Sequence, residues 1–176
     1  MYSKIFNILL AFGLAIFQLG FVSGLPGYLS SLNLIIIVLL FILVLGDLKT
    51  ALFWSLVTGF LVDLFSFTPF GLNLISLTIT IIATNFLLVG FFTDRSLYSF
   101  LTLTIVASFT CQFISTSLFS ITRLMDGTSI SLGSSYYSGL VKELFINLLI
   151  SAVLFQIVNY ISHKFKPVFL NKEKRI

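Results

Sequence analysis

Six apolar runs alternate with short polar or glycine-rich breaks along this chain. They cover residues 5–22, 28–46, 51–67, 72–92, 97–125 and 140–162. A bilayer core takes about 20 mostly apolar residues per helix. Backbone amides in lipid must be paired within their own segment. Each run therefore predicts a transmembrane helix, and the strict alternation that a membrane barrel needs is absent. The break after the first run is rich in Gly and Pro (Gly24, Pro26, Gly27). The third and fourth runs are separated only by Thr68-Pro69-Phe70-Gly71, which predicts a tight antiparallel hairpin. The fifth run is too long for one straight span, so it is tilted or begins in the interface. The first run, with Lys4 ahead of it and Val22-Ser23-Gly24 behind it, has some features of a secretory signal. It is long for a signal core and five more runs follow, so it reads as an uncleaved helix. The predicted fold class is an all-α integral membrane protein, a bundle of six transmembrane helices. It makes one domain over residues 1–163, with a basic tail at 164–176.

Composition agrees and narrows the chemistry. Of 176 residues, 58% are apolar and only 9% are charged. Soluble domains run nearer about 25% charged, so this chain has too little polar surface for one. A single cysteine, Cys111, excludes an internal disulfide and cysteine-based metal sites, and reads as a small packing residue. A single histidine, His163, excludes histidine clusters. Six acidic residues leave few places for acid–base catalysis. No glycine-rich run precedes a Lys-Ser or Lys-Thr pair, so there is no nucleotide-binding loop. No cofactor, no metal and no nucleic-acid partner are expected.

Charge sets the orientation. With the N-terminus in the cytoplasm, Lys4, Lys49, Arg95, Lys164, Lys166, Lys172, Lys174 and Arg175 all face inward. Only Arg123 and Lys142 of the ten basic residues face outward. The excess of basic residues on cytoplasmic loops predicts six spans with both termini inside. The tail lies against anionic headgroups and acts as a topology signal.

Polar residues within the spans are costly, at about 2.5–3.5 kcal/mol for a charge at the helix centre, so candidate function is sought there. Asp63 sits about one turn from the outer end of its helix, and the hairpin returns Asn73 to the same depth. Arg123 is a possible ion partner, and Lys142 and Glu143 start the sixth helix at that level. One outer-rim cluster of Asp63, Asn73, Arg123, Lys142 and Glu143 is expected. Stripes of small or polar residues run along single faces: Ala51, Ser55, Gly59 and Asp63; Asn73, Ser76, Thr80 and Thr84; Ser108, Gln112, Ser115 and Thr116; Glu143, Asn147 and Ser151. Such stripes usually hold helices together, and they are expected to face one another. Gly20 and Gly24 have dimerisation-type spacing across a helix end. Trp54 and Tyr98 are expected near the inner interface, and Tyr136 and Tyr137 near the outer one.

The stretch Gly59-Phe-Leu-Val-Asp63-Leu-Phe-Ser-Phe-Thr-Pro69-Phe-Gly71-Leu-Asn73 resembles the signature segment of the MreD family of bacterial rod shape-determining membrane proteins. The shared pattern is a Gly-x-x-x-Asp helix end, a short Ser/Thr/Pro turn, a Gly, and a second apolar helix. Chain length, six spans and a basic tail fit the same family. Phe67 and Asn73 depart from it, standing where a small residue and often a histidine are usual. The resemblance implies a protein of the bacterial plasma membrane with no enzymatic activity. It implies a scaffold of the cell-wall elongation complex, which helps maintain cell shape. The partners would be an MreC-like single-span membrane protein, and less directly the peptidoglycan synthase pair and the MreB filament. It also implies a fold like the substrate-binding component of energy-coupling-factor transporters. Gly59, Asp63, Pro69, Gly71 and Asn73 are the positions it marks.

Two other functions compete. A vitamin-binding transporter component would line a pocket with the polar stripes, with Tyr136, Tyr137 and Asn147 as candidates, and would need a coupling protein and ATPases. A membrane-embedded hydrolase would need a paired acid, Asp63 with Asp126 or Glu143, and no spacing in the chain fixes such a pair.

Overall fold

The computed structural model describes residues 2–66, 68–91, 96–125 and 134–164. Phe67, Arg95, Asp126 and the tail beyond Lys164 lie outside the described residues, as do the side chains of Lys4, Tyr136, His163 and Lys164. The described chain is helical, with no strand. The helices are α1 (Tyr2–Ile16), α2 (Leu34–Leu45), α3 (Leu48–Phe65), α4 (Leu72–Phe91), α5 (Leu97–Met125) and α6 (Ser134–Lys164). Five segments are long and apolar enough to cross a membrane: Phe6–Gly24, Leu48–Phe65, Leu72–Phe91, Leu97–Met125 and Tyr137–Tyr160. The chain is a multi-pass membrane bundle.

α2 departs from the expected 28–46 span. At 12 residues it rises about 18 Å, too short to cross alone. It is apolar on every side because it is the centre of the bundle, packing against α3, α4, α5 and α6. Seven of its residues are buried, Ile36, Leu39 and Leu40 almost completely. The chain ahead of it is irregular: a π turn at Phe17–Phe21, a 3-10 turn at Val22–Gly24 and another at Gly27–Ser31. Non-helical backbone at membrane depth is tolerated only where protein surrounds it and meets its hydrogen bonds, and those bonds come from side chains of the π turn and of α6, as shown below. The π turn also removes the regular face on which Gly20 and Gly24 would align. A Cβ added to either glycine would meet nothing within 4 Å.

The side-chain distribution is inside-out relative to a soluble domain. Large apolar residues such as Phe86, Val89, Phe109, Phe113 and Phe145 are exposed on the outer helix faces. Ser55, Ser76, Thr84, Thr104, Ser108, Asn147 and Ser151 are fully buried. The stripes therefore face inward as the spacing predicts. Their hydroxyls mostly donate to their own helix, however: Thr58 to the Trp54 carbonyl at 2.7 Å, Ser76 to Leu72 at 2.6 Å, Thr80 to Ser76 and Thr84 to Thr80 at 2.7 Å. Each of these four hydroxyls is satisfied locally, so Thr58, Ser76, Thr80 and Thr84 serve by being small rather than by bonding across the bundle. Trp54 is buried in the main core with Ile35, Leu39 and Phe100, while Tyr98 is largely exposed. Cys111 packs in the same core. Phe100 joins α2, α5 and α6, with ring centroids 4.5 Å from Phe41 and 5.4 Å from Phe155.

Candidate functional site

The α3–α4 hairpin closes around one carboxylate. Helix α4 begins with N–H groups that have no partner within the helix. Asp63, in the last turn of α3, supplies the missing acceptors. Its Oδ2 accepts from the N–H of Gly71 at 3.1 Å and of Leu74 at 3.0 Å. Its Oδ1 accepts from the N–H and the side-chain Nδ2 of Asn73, both at 2.9 Å. One helix thus caps the next, and the negative charge sits at the positive end of the α4 dipole. Asn73 Nδ2 also donates to the Thr68 hydroxyl at 3.3 Å, and Thr68 pairs with Ser66 at 2.6 Å.

The glycines make this geometry possible. Gly71 has φ +94°, a conformation that costs an L-residue about 1–2 kcal/mol. At Gly59, one turn before Asp63, an added Cβ would lie 2.6 Å from the Leu74 Cα, so only glycine lets the two helices approach. Pro69 fixes the start of the turn, and its carbonyl accepts from the Leu72 N–H at 3.4 Å. Phe60 and Phe70 pack edge to face, with centroids 5.7 Å apart. The five residues singled out in the sequence form one structural unit.

A second polar group lies where α2 begins. Gln18, in the π turn, donates from Nε2 to the Leu32 carbonyl at 2.8 Å and accepts at Oε1 from the Leu34 N–H at 2.9 Å. Asn33 caps α2, its Oδ1 accepting from the Ile36 N–H at 3.3 Å. Its own N–H donates to Asn147 Oδ1 at 2.9 Å, and Asn147 Nδ2 donates to the Ser108 hydroxyl at 3.1 Å. These amides satisfy the broken backbone ahead of the short central helix. Beside them, Gln112 Nε2 donates to Glu143 Oε2, and the Asn33 side chain stands near the same carboxylate. Glu143 is 8% exposed. Its Oε1 is buried without a hydrogen-bond partner among the described residues.

The two groups share a cavity of about 260 Å³. Its polar wall includes Gln18, Ser23, Asn33, Asn73, Gln112 and Ser115, and its apolar wall is formed by Leu19, Ile35, Val62, Leu77 and Cys111. Asn73 carries the Asp63 bond and Gln112 carries the Glu143 bond, so each carboxylate stands behind an amide of the cavity wall.

The expected single outer rim is corrected in this respect. Glu143 does not stand open at a rim: it is buried against Gln112, because its position on α6 turns inward beside Asn147. Arg123 and Lys142 are exposed, and the Arg123 guanidinium lies 5.1 Å over the Phe119 ring. Asp63 is held by four N–H donors of its own hairpin. Gln18 and Asn33 were missed. Each is a lone amide beside an apolar run, Asn33 immediately ahead of Leu34-Ile-Ile-Ile, a pattern that marks a helix cap. Among the described residues no three of His, Cys, Asp and Glu come together as a metal site. No protein-family model, curated protein or solved structure matches the chain.

Proposed function

We propose that this chain is a non-enzymatic scaffold of the bacterial cell-wall elongation complex, of the MreD type. The observation that carries the reading is the hairpin. Gly59, Asp63, Pro69, Gly71 and Asn73, the residues that resemble the family signature, make one hydrogen-bonded and close-packed unit. Asn73 fills its place by donating a side-chain N–H to Asp63, a bond that a histidine ring at the same position is chemically equipped to make.

In this reading both termini are cytoplasmic and the hairpin faces outward in the plasma membrane. The rigid turn then presents Phe70, which is 65% exposed, at the outer surface. A lipid-facing groove of the bundle receives the transmembrane helix of an MreC-like partner, and the turn steadies that partner's external domain. The fold likeness to transporter substrate-binding components follows from the same resemblance.

The test is crosslinking in native membranes of the host, followed by purification and mass spectrometry. Recovery of an MreC-like single-span protein with a wall synthase is expected, and Asp63→Ala should reduce that recovery from a correctly inserted protein. Recovery of ATPases with a coupling protein instead would overturn the scaffold reading in favour of transport.

A further inference from the structure

The end of the bundle away from the hairpin carries a second cleft. It measures about 420 Å³ and is walled by Asn7 of α1 and by Lys49, Thr50 and Phe53 at the start of α3. Helix α3 has 18 residues. It rises about 27 Å, against about 30 Å for a bilayer core. With the hairpin at one membrane boundary, the first turn of α3 stands at the other, level with the lipid headgroups.

Two side chains of this wall have unmet donors. Lys49 is exposed, and its ammonium group makes no hydrogen bond to another described residue. Asp47 stands two positions earlier, but Thr50 engages both of its oxygens, and Asp47 is not part of the wall. Asn7 is a half-buried amide in an otherwise apolar stretch, where Phe6, Ile8, Leu9 and Leu10 are exposed. Its side chain also makes no hydrogen bond to another described residue. Ammonium and carboxamide groups both supply N–H donors. Their complement is an anionic group that only accepts, and a phosphodiester is such a group. Thr50 completes the wall without adding a donor, because its hydroxyl donates to Asp47.

The surface below the cleft distinguishes a lipid from a free anion. Lys49, Phe53, Leu56 and Phe60 fall at i, i+4, i+7 and i+11, on one face of α3. Phe53 is half-buried, and Leu56 and Phe60 are exposed. This apolar track runs about 16 Å from Lys49 into the bilayer. A free phosphate ion would leave it uncovered, whereas an acyl chain hanging from a headgroup at Lys49 covers it.

We propose that this cleft binds an anionic glycerophospholipid, with its phosphodiester on Lys49 and Asn7 and an acyl chain along Phe53, Leu56 and Phe60. Phosphatidylglycerol is the fitting class, because its headgroup brings no cation of its own to offset the attraction to Lys49. The inference is independent of the scaffold reading, since its test needs no partner protein.

The test uses the purified full chain in phosphatidylcholine nanodiscs that hold a small fraction of a lipid with a photoreactive acyl chain. Labelled peptides are mapped by mass spectrometry, which separates this cleft from the basic tail. Photoreactive phosphatidylglycerol should label residues 49–60 at least about fivefold more than phosphatidylcholine with the same chain. Lys49→Gln should reduce the yield to the phosphatidylcholine level, and Lys49→Arg should preserve the excess. Asn7→Leu, which leaves the charge in place, should lose part of it. Inorganic phosphate at constant ionic strength should not compete. Equal yields from the two lipids, or an excess that survives Lys49→Gln, would overturn the proposal. Displacement by inorganic phosphate would overturn it as well, because the cleft would then take the free ion and the apolar track would have no part in binding.

Discussion

Asp63 and Glu143 are both carboxylates buried in the bundle, 4% and 8% exposed, and their surroundings differ in kind. Asp63 accepts four hydrogen bonds, three of them from backbone N–H groups at the start of α4. Glu143 accepts one from Gln112 through Oε2, and its second oxygen has no partner in the described chain. The first carboxylate is part of how the chain folds. The second joins α5 to α6 through Gln112, with the Asn33 side chain beside it, and is held less completely. A fully hydrogen-bonded buried carboxylate stabilises the fold, and one with an unmet oxygen stabilises it less. Substitutions at the two positions should therefore have opposite consequences for stability.

The largest effect is expected at Asp63. Replacing it with Ala leaves the N–H groups of Gly71, Asn73 and Leu74 without their acceptor at the mouth of α4. Each unpaired buried donor costs about 1–3 kcal/mol. Solvent near the turn recovers part of that, so a total of roughly 3–5 kcal/mol is expected. Asp63→Asn keeps one oxygen and should lose about half as much. Unfolding in mixed micelles measures both. An Asp63→Ala protein as stable as wild type would remove the carboxylate from the centre of the hairpin.

Gly59→Ala comes next. The new Cβ would sit 2.6 Å from the Leu74 Cα and 3.1 Å from its N. The neighbour is backbone, which cannot swing aside, so α3 and α4 must separate. Overpacking of this kind costs about 1–3 kcal/mol. The Asp63 bonds should lengthen with it, so Gly59→Ala combined with Asp63→Ala should cost less than the sum of the two. Strict additivity would mean that the glycine and the carboxylate act separately.

Glu143→Gln should move stability by less than about 1 kcal/mol, and upward if it moves. The substitution keeps the shape and the Gln112 bond while replacing the one carboxylate oxygen that has no donor among the described residues. A loss as large as that of Asp63→Asn would show that Glu143 is a structural group after all, and the contrast between the two carboxylates would fall.

Sequence distance explains why one group was legible and the other was not. Every partner of Asp63 lies within 11 residues of it, inside one turn and two helix ends. Local chemistry, with a Pro, a Gly and a capping acid at fixed offsets, was enough to find it. Glu143 meets Gln112 across 31 positions, and Asn33 meets Asn147 across 114. Periodicity placed Gln112, Asn147 and Glu143 on inward faces but could not say which faces meet. Glu143 was accordingly assigned to an outer rim. The length of α2 was misread for a related reason. Hydropathy reports that residues 28–46 are apolar and not that a π turn and two 3-10 turns interrupt the backbone ahead of Leu34.

Asp47 provides the weak end of the comparison, a carboxylate that caps a helix in water. It closes the first turn of α3 much as Asp63 closes that of α4, accepting from the Thr50 N–H at 3.2 Å and the Thr50 hydroxyl at 2.7 Å. These bonds, the side-chain bond to Thr50 first, hold its carboxyl below the ordinary value of 3.8. A carboxyl lowered by folding stabilises the folded state above its unfolded pKa, and that contribution is lost as pH falls through the lowered folded value. The cap should therefore be fully present at neutral pH and weaken only in acid below 3.8. Because Asp47 is fully exposed, water competes for every one of these bonds and salt screens the charge. Asp47→Ala should speed amide exchange at Thr50 and Ala51 a few-fold without shifting the global unfolding transition. The same first turn in α4, capped by a buried carboxylate, should open only with the hairpin. Equal local opening at the two helix starts would mean that burial adds nothing to the Asp63 cap.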